Sequence, residues 1–337
     1  MALIIQKFGG TSVADERARG FLIEKVRKAR ERGDQVVLVV SAMGRKGAPY
    51  ATDTLLGLLR DANPSADPAT SDLLVSTGET ISACLLAAQL AAKGIPSVPM
   101  TAYTAGIRAE GPAQDATPTG IDAAAIRARL EAGLVPVITG FQAVDAKGGI
   151  VTLGRGGSDT SAVIVGVGLG ADYVDIYTDV PGVAKADPRV AKDAPYMDFL
   201  DYESMFRLAK HGARVLHDRS ALIAEKGRAL LRVRSTFDDG EGTLIGPEGT
   251  KDATGAARRL PDFIGLGSVT QADCRVRVTA VFAKGRAKPG SAAEVAATFG
   301  AKEIPSGDGD GDAVAFVCDA ESAKELTRAL LTRLQQS

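Results

Sequence analysis

The sequence predicts an α/β fold, a three-layer sandwich with a mostly parallel central sheet, followed by a small C-terminal α+β unit. Three observations lead to this prediction. Short apolar segments alternate with helical patterns through most of the chain. Polar, glycine-rich loops follow the apolar segments, where parallel strands would enter helices. The character of the chain then changes at residues 238–259, which are rich in glycine and charge and lead out of the first domain.

The first elements form a predicted βαβ unit. The segment ALIIQKF, residues 2–8, predicts a strand, and QVVLVVS, residues 35–41, predicts a second strand that is fully buried. Between them, Asp15 is placed to cap a helix, and Gly33 marks the end of that helix.

Later segments continue the alternation. A long helical pattern ends at Gly94, and short strands are predicted at residues 95–100, 135–140, 149–153 and 172–178. Ligands of such sheets bind beyond the carboxyl ends of the strands. Five polar loops are predicted to meet there, at residues 7–10, 41–53, 139–142, 154–159 and 178–182. Their convergence predicts a binding site.

The C-terminal segments predict a separate small unit. Strand, helix, strand and helix patterns cover residues 274–283, 290–300, 312–319 and 321–334. A second domain also agrees with the length of 337 residues, because a single core stops growing near ~250–300 residues.

Composition narrows the class of partner. The chain has 40 Lys+Arg against 41 Asp+Glu and no long run of one sign, so neither nucleic acid nor a membrane surface is expected as a partner. The start of the chain lacks the pattern of a signal peptide, and no apolar run reaches about 18 residues, so a cytoplasmic protein with a small-molecule substrate is expected.

The three cysteines carry no metal or disulfide pattern. Cys84, Cys274 and Cys318 are far apart, without a CxxC spacing, and are expected to be buried free thiols.

Two glycine-rich segments predict a phosphate site. Each combines glycines, a basic residue and a helix start: KFGGTS at residues 7–12 and GRGGSDTSA at residues 154–162. Ser158 or Asp159 is placed to cap the helix that follows the second segment. Neither is a Walker A loop or a dinucleotide fingerprint. One such loop is often a plain connection, but two at one sheet edge favour phosphate binding.

The chain resembles the aspartate kinases of the amino acid kinase superfamily over residues 2–245. Six motifs agree in order: KFGGTS, TGE at 77–79, TLGRGGSDTSA, YTDVPGVAKADPR, HGARVLH, and VRSTF followed by GTLI. The resemblance implies transfer of the γ-phosphoryl group of ATP to the side-chain carboxylate of L-aspartate, the first step towards lysine, threonine and methionine. It also implies a catalytic domain at 1–245, a linker at 246–263 and an ACT-like regulatory domain at 264–337.

The resemblance assigns the catalytic pair. Lys7 would bridge the transferred phosphoryl group, Asp159 would hold that lysine, and the amides of Gly9 and Gly10 would face the phosphates. The plainer alternative makes Lys7 a surface charge and Asp159 a helix cap.

The resemblance also assigns the amino-acid pocket. Glu79 would meet the ammonium group and Arg155 the α-carboxylate, in the forked geometry that only arginine offers. Hydroxyls would come from Ser41, Thr52 and Ser158. As an alternative, Ser76 to Glu79 also fits a helix capping box.

Nucleotide contacts are implied at five residues: Thr178, Asp179, Arg189, Arg214 and Val215. The chain departs from the family pattern beside them, because Pro181 replaces an aspartate and Ala184 replaces a large residue expected against the adenine. Lys185 is a candidate to compensate. ATP is still expected, with its preference over GTP left open.

Metal ligation shows no cluster in sequence, which does not argue against Mg²⁺, because this ion is usually held by nucleotide phosphates with one or two carboxylates. The stretch GDGDGD, with Asp308, Asp310 and Asp312, lacks the glycine and glutamate of an EF-hand and predicts a hairpin turn. His211 and His217 have no recognisable serine or cysteine partner and are expected to be structural.

The C-terminal part resembles one ACT unit, where the family usually has two, so the effector is left open. A homodimer is expected. Two alternatives to aspartate phosphorylation stay open: a related kinase of another small carboxylate such as acetylglutamate, which lacks the free amino group that Glu79 and Arg155 favour, and a catalytically silent amino-acid sensor.

Overall fold

A computed structural model describes residues 1–213, 215–252, 254–306 and 310–336. Its strands are β1 Leu3–Phe8, β2 Gln35–Val40, β3 Ser97–Met100, β4 Ile107–Glu110, β5 Thr117–Ile121, β6 Val135–Thr139, β7 Gln142–Val144, β8 Ile150–Thr152, β9 Tyr173–Thr178, β10 Phe199–Asp201, β11 Leu231–Ser235, β12 Thr243–Gly246, β13 Phe263–Thr270, β14 Val276–Phe282, β15 Lys302–Ile304 and β16 Ala313–Cys318. Its helices are α1 Glu16–Glu31, α2 Thr52–Ala62, α3 Pro68–Ala92, α4 Ala124–Glu131, α5 Gly157–Leu169, α6 Tyr202–Lys210, α7 Asp218–Gly227, α8 Pro289–Thr298 and α9 Ala320–Gln335.

The chain divides into two compact units. The first comprises Met1–Pro181 with Ile223–Glu241, and the second comprises Gly182–Leu222 with Gly242–Ser337. Each unit consists of two separate segments of the chain, and no local sequence pattern indicated this. The boundaries expected for a catalytic and a regulatory domain therefore remain a prediction.

A parallel sheet forms the centre of the first unit. Its strand order is β11, β9, β1, β2, β6, β3, and the five pairings are all parallel. Every residue of β2 after Gln35 is buried, as an inner strand of such a sheet requires. The predicted α/β fold with a mostly parallel sheet is confirmed.

Helices cover both faces of this sheet, because side chains alternate along each strand. Phe8 of β1 belongs to a core cluster with Leu22 of α1 and Leu86 of α3. On the other face of β1, Ile5 lies against α5: a Cβ built on Gly166 would be 3.5 Å from Ile5 Cγ1. Lys7 has the same parity as Ile5 and therefore points towards α5.

A second, smaller sheet in the first unit has the order β5, β4, β7, β8. The segment Ile150–Thr152 lies in this sheet, where it pairs antiparallel with β7. The prediction that it precedes the 154–159 loop as a strand of the parallel sheet is therefore wrong. Its strands have only three to five residues, which is too short for an apolar pattern to reveal this sheet.

The helix boundaries follow local signals where those exist. Asp15 caps α1 through a bond from the Ala18 amide to its side chain, and Gly33 has a φ of +83° just after the helix. By length and composition, α3 is apolar enough to cross a membrane, but half of its most apolar window is buried. A core helix of a soluble protein passes the same test.

The second unit contains the small C-terminal fold. A four-stranded sheet has the order β13, β14, β16, β15 with antiparallel pairing, and it shares a core with α8 and α9. The four predicted segments are confirmed as strand, helix, strand and helix, with β13 and β15 added. This antiparallel sheet is consistent with an ACT-like domain. The unit also contains α6 and the parallel pair of β10 with β12.

A buried arginine ties α6 to the GDGDGD stretch within the second unit. Arg207 donates to both carboxylate oxygens of Asp310, at 2.8 and 2.6 Å, and to the carbonyl of Phe282 at 2.7 Å. His211 Nε2 lies 3.3 Å from the same carboxylate, and burial lowers the pKa of this histidine although Asp310 opposes the shift. Asp310 thus serves an ion pair, whereas Asp308 lies outside the described residues.

The cysteine prediction was wrong for two of the three thiols. Cys84 and Cys274 are exposed, and only Cys318 is buried. Cys84 lies at a solvent-exposed position of α3, and Cys274 lies in the turn before β14, with a φ of +65°.

Candidate active site

An ion pair joins the end of β1 to the start of α5. Lys7 Nζ lies 2.7 Å from Asp159 Oδ1, and the two side chains are only 12% and 13% exposed. The cap of α5 is Gly156, in the left-handed region with a φ of +65°, and it makes no side-chain capping bond. The expectation that Ser158 or Asp159 caps this helix is therefore wrong, and the Asp159 carboxylate is used for Lys7.

The glycines after Lys7 allow a close approach between two loops. The Gly44 amide donates to the Gly10 carbonyl at 3.0 Å. A Cβ on Gly10 would lie 2.6 Å from the Gly44 carbonyl oxygen and 3.0 Å from that of Ala42, which backbone atoms do not tolerate. On Gly9, a Cβ would meet its nearest atom, Lys7 Nζ, at an ordinary 3.5 Å. Gly10 is thus required by packing.

Glu79 is a buried carboxyl group in the middle of α3. One oxygen, Oε1, accepts the Ala42 amide at 3.1 Å, while buried Oε2 has no hydrogen-bond partner among the described residues. Burial raises its pKa to about 8. Because Glu79 is an interior residue of Pro68–Ala92, the capping-box alternative is wrong: the helix began earlier than the local pattern suggested.

These groups share one cavity of about 280 Å³ at the carboxyl edge of the parallel sheet. The cavity contains seven of the residues predicted for the site: Lys7, Gly10, Ser41, Thr52, Glu79, Ser158 and Asp159. Gly9 and Arg155 do not line the cavity. Arg155 is exposed beside it, between Gly154 and Gly156, which both line it. The small sheet therefore delivers the 154–159 loop to the edge where it was expected.

Asp72 supports the cavity in a way the sequence did not reveal. Its fully buried carboxylate accepts from the amides of Gln114 and Thr152, both at 2.9 Å, and from the Thr152 hydroxyl at 2.8 Å. It thereby fixes α3, which carries Glu79, to β8, which leads into the 154–159 loop. An acidic residue inside an otherwise apolar helical pattern was the available signal.

The residues expected to bind nucleotide fall into both compact units. In the first unit, Thr178 ends β9 and donates to Asp179 at 3.2 Å. In the second unit, Arg189 forms an ion pair with Asp187 at 2.6 Å. Val215 belongs to the second unit as well, and Arg214 lies outside the described residues.

The departures near the expected adenine region have defined surroundings within the second unit. Ala184 forms an isolated bridge with Tyr196. Lys185 Nζ lies 5.3 Å from the centre of the Phe263 ring, and burial lowers its pKa.

A comparison with protein families decides the relationship. Residues 2–235 match the model of the amino acid kinase family. The chain belongs to the amino acid kinase family. Within that family, it is 37% identical to an aspartokinase of Thermus thermophilus over 98% of this chain and 80% of that protein, so it groups with the aspartokinases. It is 41% identical to aspartokinase 1 of Bacillus subtilis over 73% of this chain, but spans only 61% of that relative's length.

Solved structures agree on the fold of this amino acid kinase. Aspartokinase III of E. coli, crystallised with aspartate and ADP, superposes with a TM-score of 0.79 over 99% of this chain and 100% of that one. The identity of 21% limits that likeness to the fold.

Proposed function

We propose that this chain is an aspartate kinase that transfers the γ-phosphoryl group of ATP to the side-chain carboxylate of L-aspartate, giving 4-phospho-L-aspartate. The observation that carries the proposal is the pairing of Lys7 with Asp159 in a cavity that also holds the buried carboxyl group of Glu79. Membership of the aspartokinases, whose E. coli structure holds aspartate and ADP, supports it.

Lys7 supplies the positive charge at the transfer point. Phosphoryl transfer needs two reactants in line and neutralisation of the charge that develops on the transferred group. The ammonium group of Lys7 provides this charge, and the ion pair with Asp159 fixes its position before the substrates arrive. Gly10 lets this loop pack closely against Ala42 and Gly44. The backbone amides of Gly9 and Gly10 are proposed to face the phosphates.

Glu79 selects an acceptor with a free ammonium group. Its Oε2 is buried without a partner among the described residues, and an ammonium donor would satisfy it. Arg155 stands exposed beside the cavity to take the α-carboxylate, and Ser41, Thr52 and Ser158 add hydroxyls. This chemistry disfavours an acetylated amino acid, which has no ammonium group.

The nucleotide would reach Thr178, Asp179, Arg189, Arg214 and Val215, as the resemblance implies. Mg²⁺ is proposed to arrive on the phosphates, where it neutralises charge. The described residues hold no group of three or more His, Cys, Asp or Glu suited to a metal. Mg²⁺ usually keeps several waters and is held by nucleotide phosphates with one or two carboxylates.

A homodimer and a cytoplasmic location are also part of the proposal. The C-terminal antiparallel sheet is proposed as the ACT-like part that pairs in the dimer, with the predicted boundaries of 1–245, 246–263 and 264–337. The intact Lys7 and Asp159 pair argues against a silent sensor, because a sensor has no need of a cation at a transfer point.

The test is ADP release by the purified protein with Mg-ATP and three separate acceptors: L-aspartate, N-acetyl-L-aspartate and N-acetyl-L-glutamate. The proposal predicts turnover with L-aspartate alone, and a raised KM for L-aspartate in Glu79→Gln. Turnover with an acetylated acceptor would indicate the related kinase, and no turnover with any acceptor would indicate the sensor.

A further inference from the structure

The loop after β2 and the loop after β9 lie on either side of the Lys7 loop. In the sheet order, β1 lies between β9 and β2, and all three strands are parallel. Their carboxyl ends therefore sit side by side, with the glycines that follow Lys7 in the middle. A contact between the two outer loops therefore spans the end of β1, which those glycines follow.

Such a contact exists between two charged side chains. Arg45 Nη2, from the loop after β2, lies 2.8 Å from Asp179 Oδ2, from the loop after β9. The side chains are 73% and 45% exposed, so the ion pair is solvated and contributes little to the stability of the fold. Exchange of one partner for a stronger ligand is correspondingly easy.

The backbone around Arg45 is held in place, while its exposed side chain forms the ion pair with Asp179. Its carbonyl accepts the Ala48 amide at 2.8 Å, and the Gly47 amide donates to the Thr54 hydroxyl at 3.2 Å. The preceding residue, Gly44, is fixed to Gly10 by its amide and has a φ of +85°. The backbone that carries the Arg45 side chain is therefore fixed beside the phosphate loop.

We propose that Arg45 is a further phosphate-binding residue. When the nucleotide binds, the side chain of Arg45 breaks its ion pair with Asp179 and binds the phosphate chain. This inference rests on the proposed function. A guanidinium group binds phosphate oxygens through two parallel donors, and a polyphosphate carries more charge than one exposed carboxylate. Asp179 acts as the counter-ion that holds the side chain over the site until then.

The choice of arginine over its neighbour follows from the same contacts. Lys46 is exposed on the same loop, and the described part of the chain shows no ion pair for it. It has the same charge as Arg45 and is next to it in the chain, but among the described residues it forms no hydrogen bond or ion pair with a residue of the site. Lys46→Ala is therefore a matched control for loss of one positive charge from this loop.

The test is calorimetric binding of Mg-ATP and of adenosine to the wild type, Arg45→Ala, Arg45→Lys and Lys46→Ala. Loss of Arg45 is expected to weaken Mg-ATP binding about ten- to a hundredfold, the range for one charge-assisted pair. Adenosine, which has no phosphate, should bind all four proteins alike. Arg45→Lys should fall between the wild type and Arg45→Ala, because lysine keeps the charge but not the fork.

Mg-ATP binding by Arg45→Ala within twofold of the wild type would overturn the inference, as would an equal loss in Lys46→Ala. A parallel loss of adenosine binding would also overturn it, since that would indicate a disturbed loop. The proposed function fails separately: Mg-ATP binding without phosphorylation of L-aspartate would refute the acceptor while leaving the role of Arg45 readable. A wild type that binds no nucleotide would refute both.

Discussion

Lys7 Nζ and Asp159 Oδ1 lie 2.7 Å apart, so an ion pair connects the end of β1 with the first turn of α5. Both side chains are largely shielded from water, which strengthens the attraction relative to a surface pair. The parity of β1 directs Lys7 to this side of the sheet, and the glycine-capped start of α5 leaves the carboxylate of Asp159 available for it.

Replacement of Lys7 by alanine should lower kcat by roughly a hundredfold or more, since loss of one preorganised donor at developing charge has that effect. Asp159→Asn should have a smaller effect of the same sign, because the lysine stays but loses its anchor. Steady-state kinetics with Mg-ATP and L-aspartate measure both. Lys28→Ala, which removes an exposed lysine of α1, is the control. A Lys7→Ala enzyme with more than a tenth of wild-type kcat would contradict this role.

The two adjacent glycines should respond differently to alanine. Gly10→Ala places a Cβ within 2.6 Å of a backbone carbonyl oxygen, so the two loops must separate and activity should fall at least tenfold. Gly9→Ala meets nothing closer than 3.5 Å and should keep activity within a few fold. Parallel assays of the two variants check this, and equal losses would show that the close approach of the loops is not what matters.

Glu79 should make stability depend on pH. Its pKa rises from 4.5 unfolded to about 8 folded, so between these values the unfolded chain has lost a proton that the native state keeps. The wild type therefore loses stability as pH rises through this window, at up to about 1.4 kcal/mol per pH unit. Glu79→Gln has no carboxyl group to titrate at this position. Its free energy of unfolding should therefore increase relative to that of the wild type from pH 5 to pH 8.

Urea unfolding at both pH values measures this gain. Glu131→Gln, on the exposed end of α4, is the control and should show a constant offset. If the difference in free energy of unfolding between Glu79→Gln and the wild type were also the same at both pH values, the carboxyl group would titrate normally.

Asp72→Ala should destabilise the protein by about 2–4 kcal/mol, because it leaves two amides and a hydroxyl buried without their acceptor. Asp72→Asn, which keeps one acceptor oxygen, should lose less free energy of unfolding than Asp72→Ala. Asp61→Ala, on an exposed part of α2, controls for loss of a carboxylate. Chemical denaturation gives the three values, and a loss below about 0.5 kcal/mol for Asp72→Ala would place it among ordinary surface substitutions.

The sequence predicted those elements whose signals are local. Asp15 and Gly33 defined α1, and the buried run of β2 needed no partner to be recognised. The 154–159 loop was placed at the correct edge, although its preceding strand belongs to another sheet, because glycines and charge mark the loop itself.

The remaining features depend on distant residues. Glu79 fits a capping box locally, and only the start of α3 at Pro68 shows that it is an interior residue facing Ala42. The bonds from Asp72 to Thr152 span 80 positions, and the contact of Arg45 with Asp179 spans 134. Such pairs follow from the strand order, which the pattern of apolar segments did not determine.

The most direct test of the central claim is hydroxylamine trapping of acyl phosphate formed from Mg-ATP and L-aspartate, with Lys7→Ala beside the wild type. The account predicts aspartyl hydroxamate that requires L-aspartate, carries the modification on the side-chain carboxyl group, and nearly disappears in the variant. Absence of hydroxamate from folded wild-type protein, or equal yields from both proteins, would contradict it.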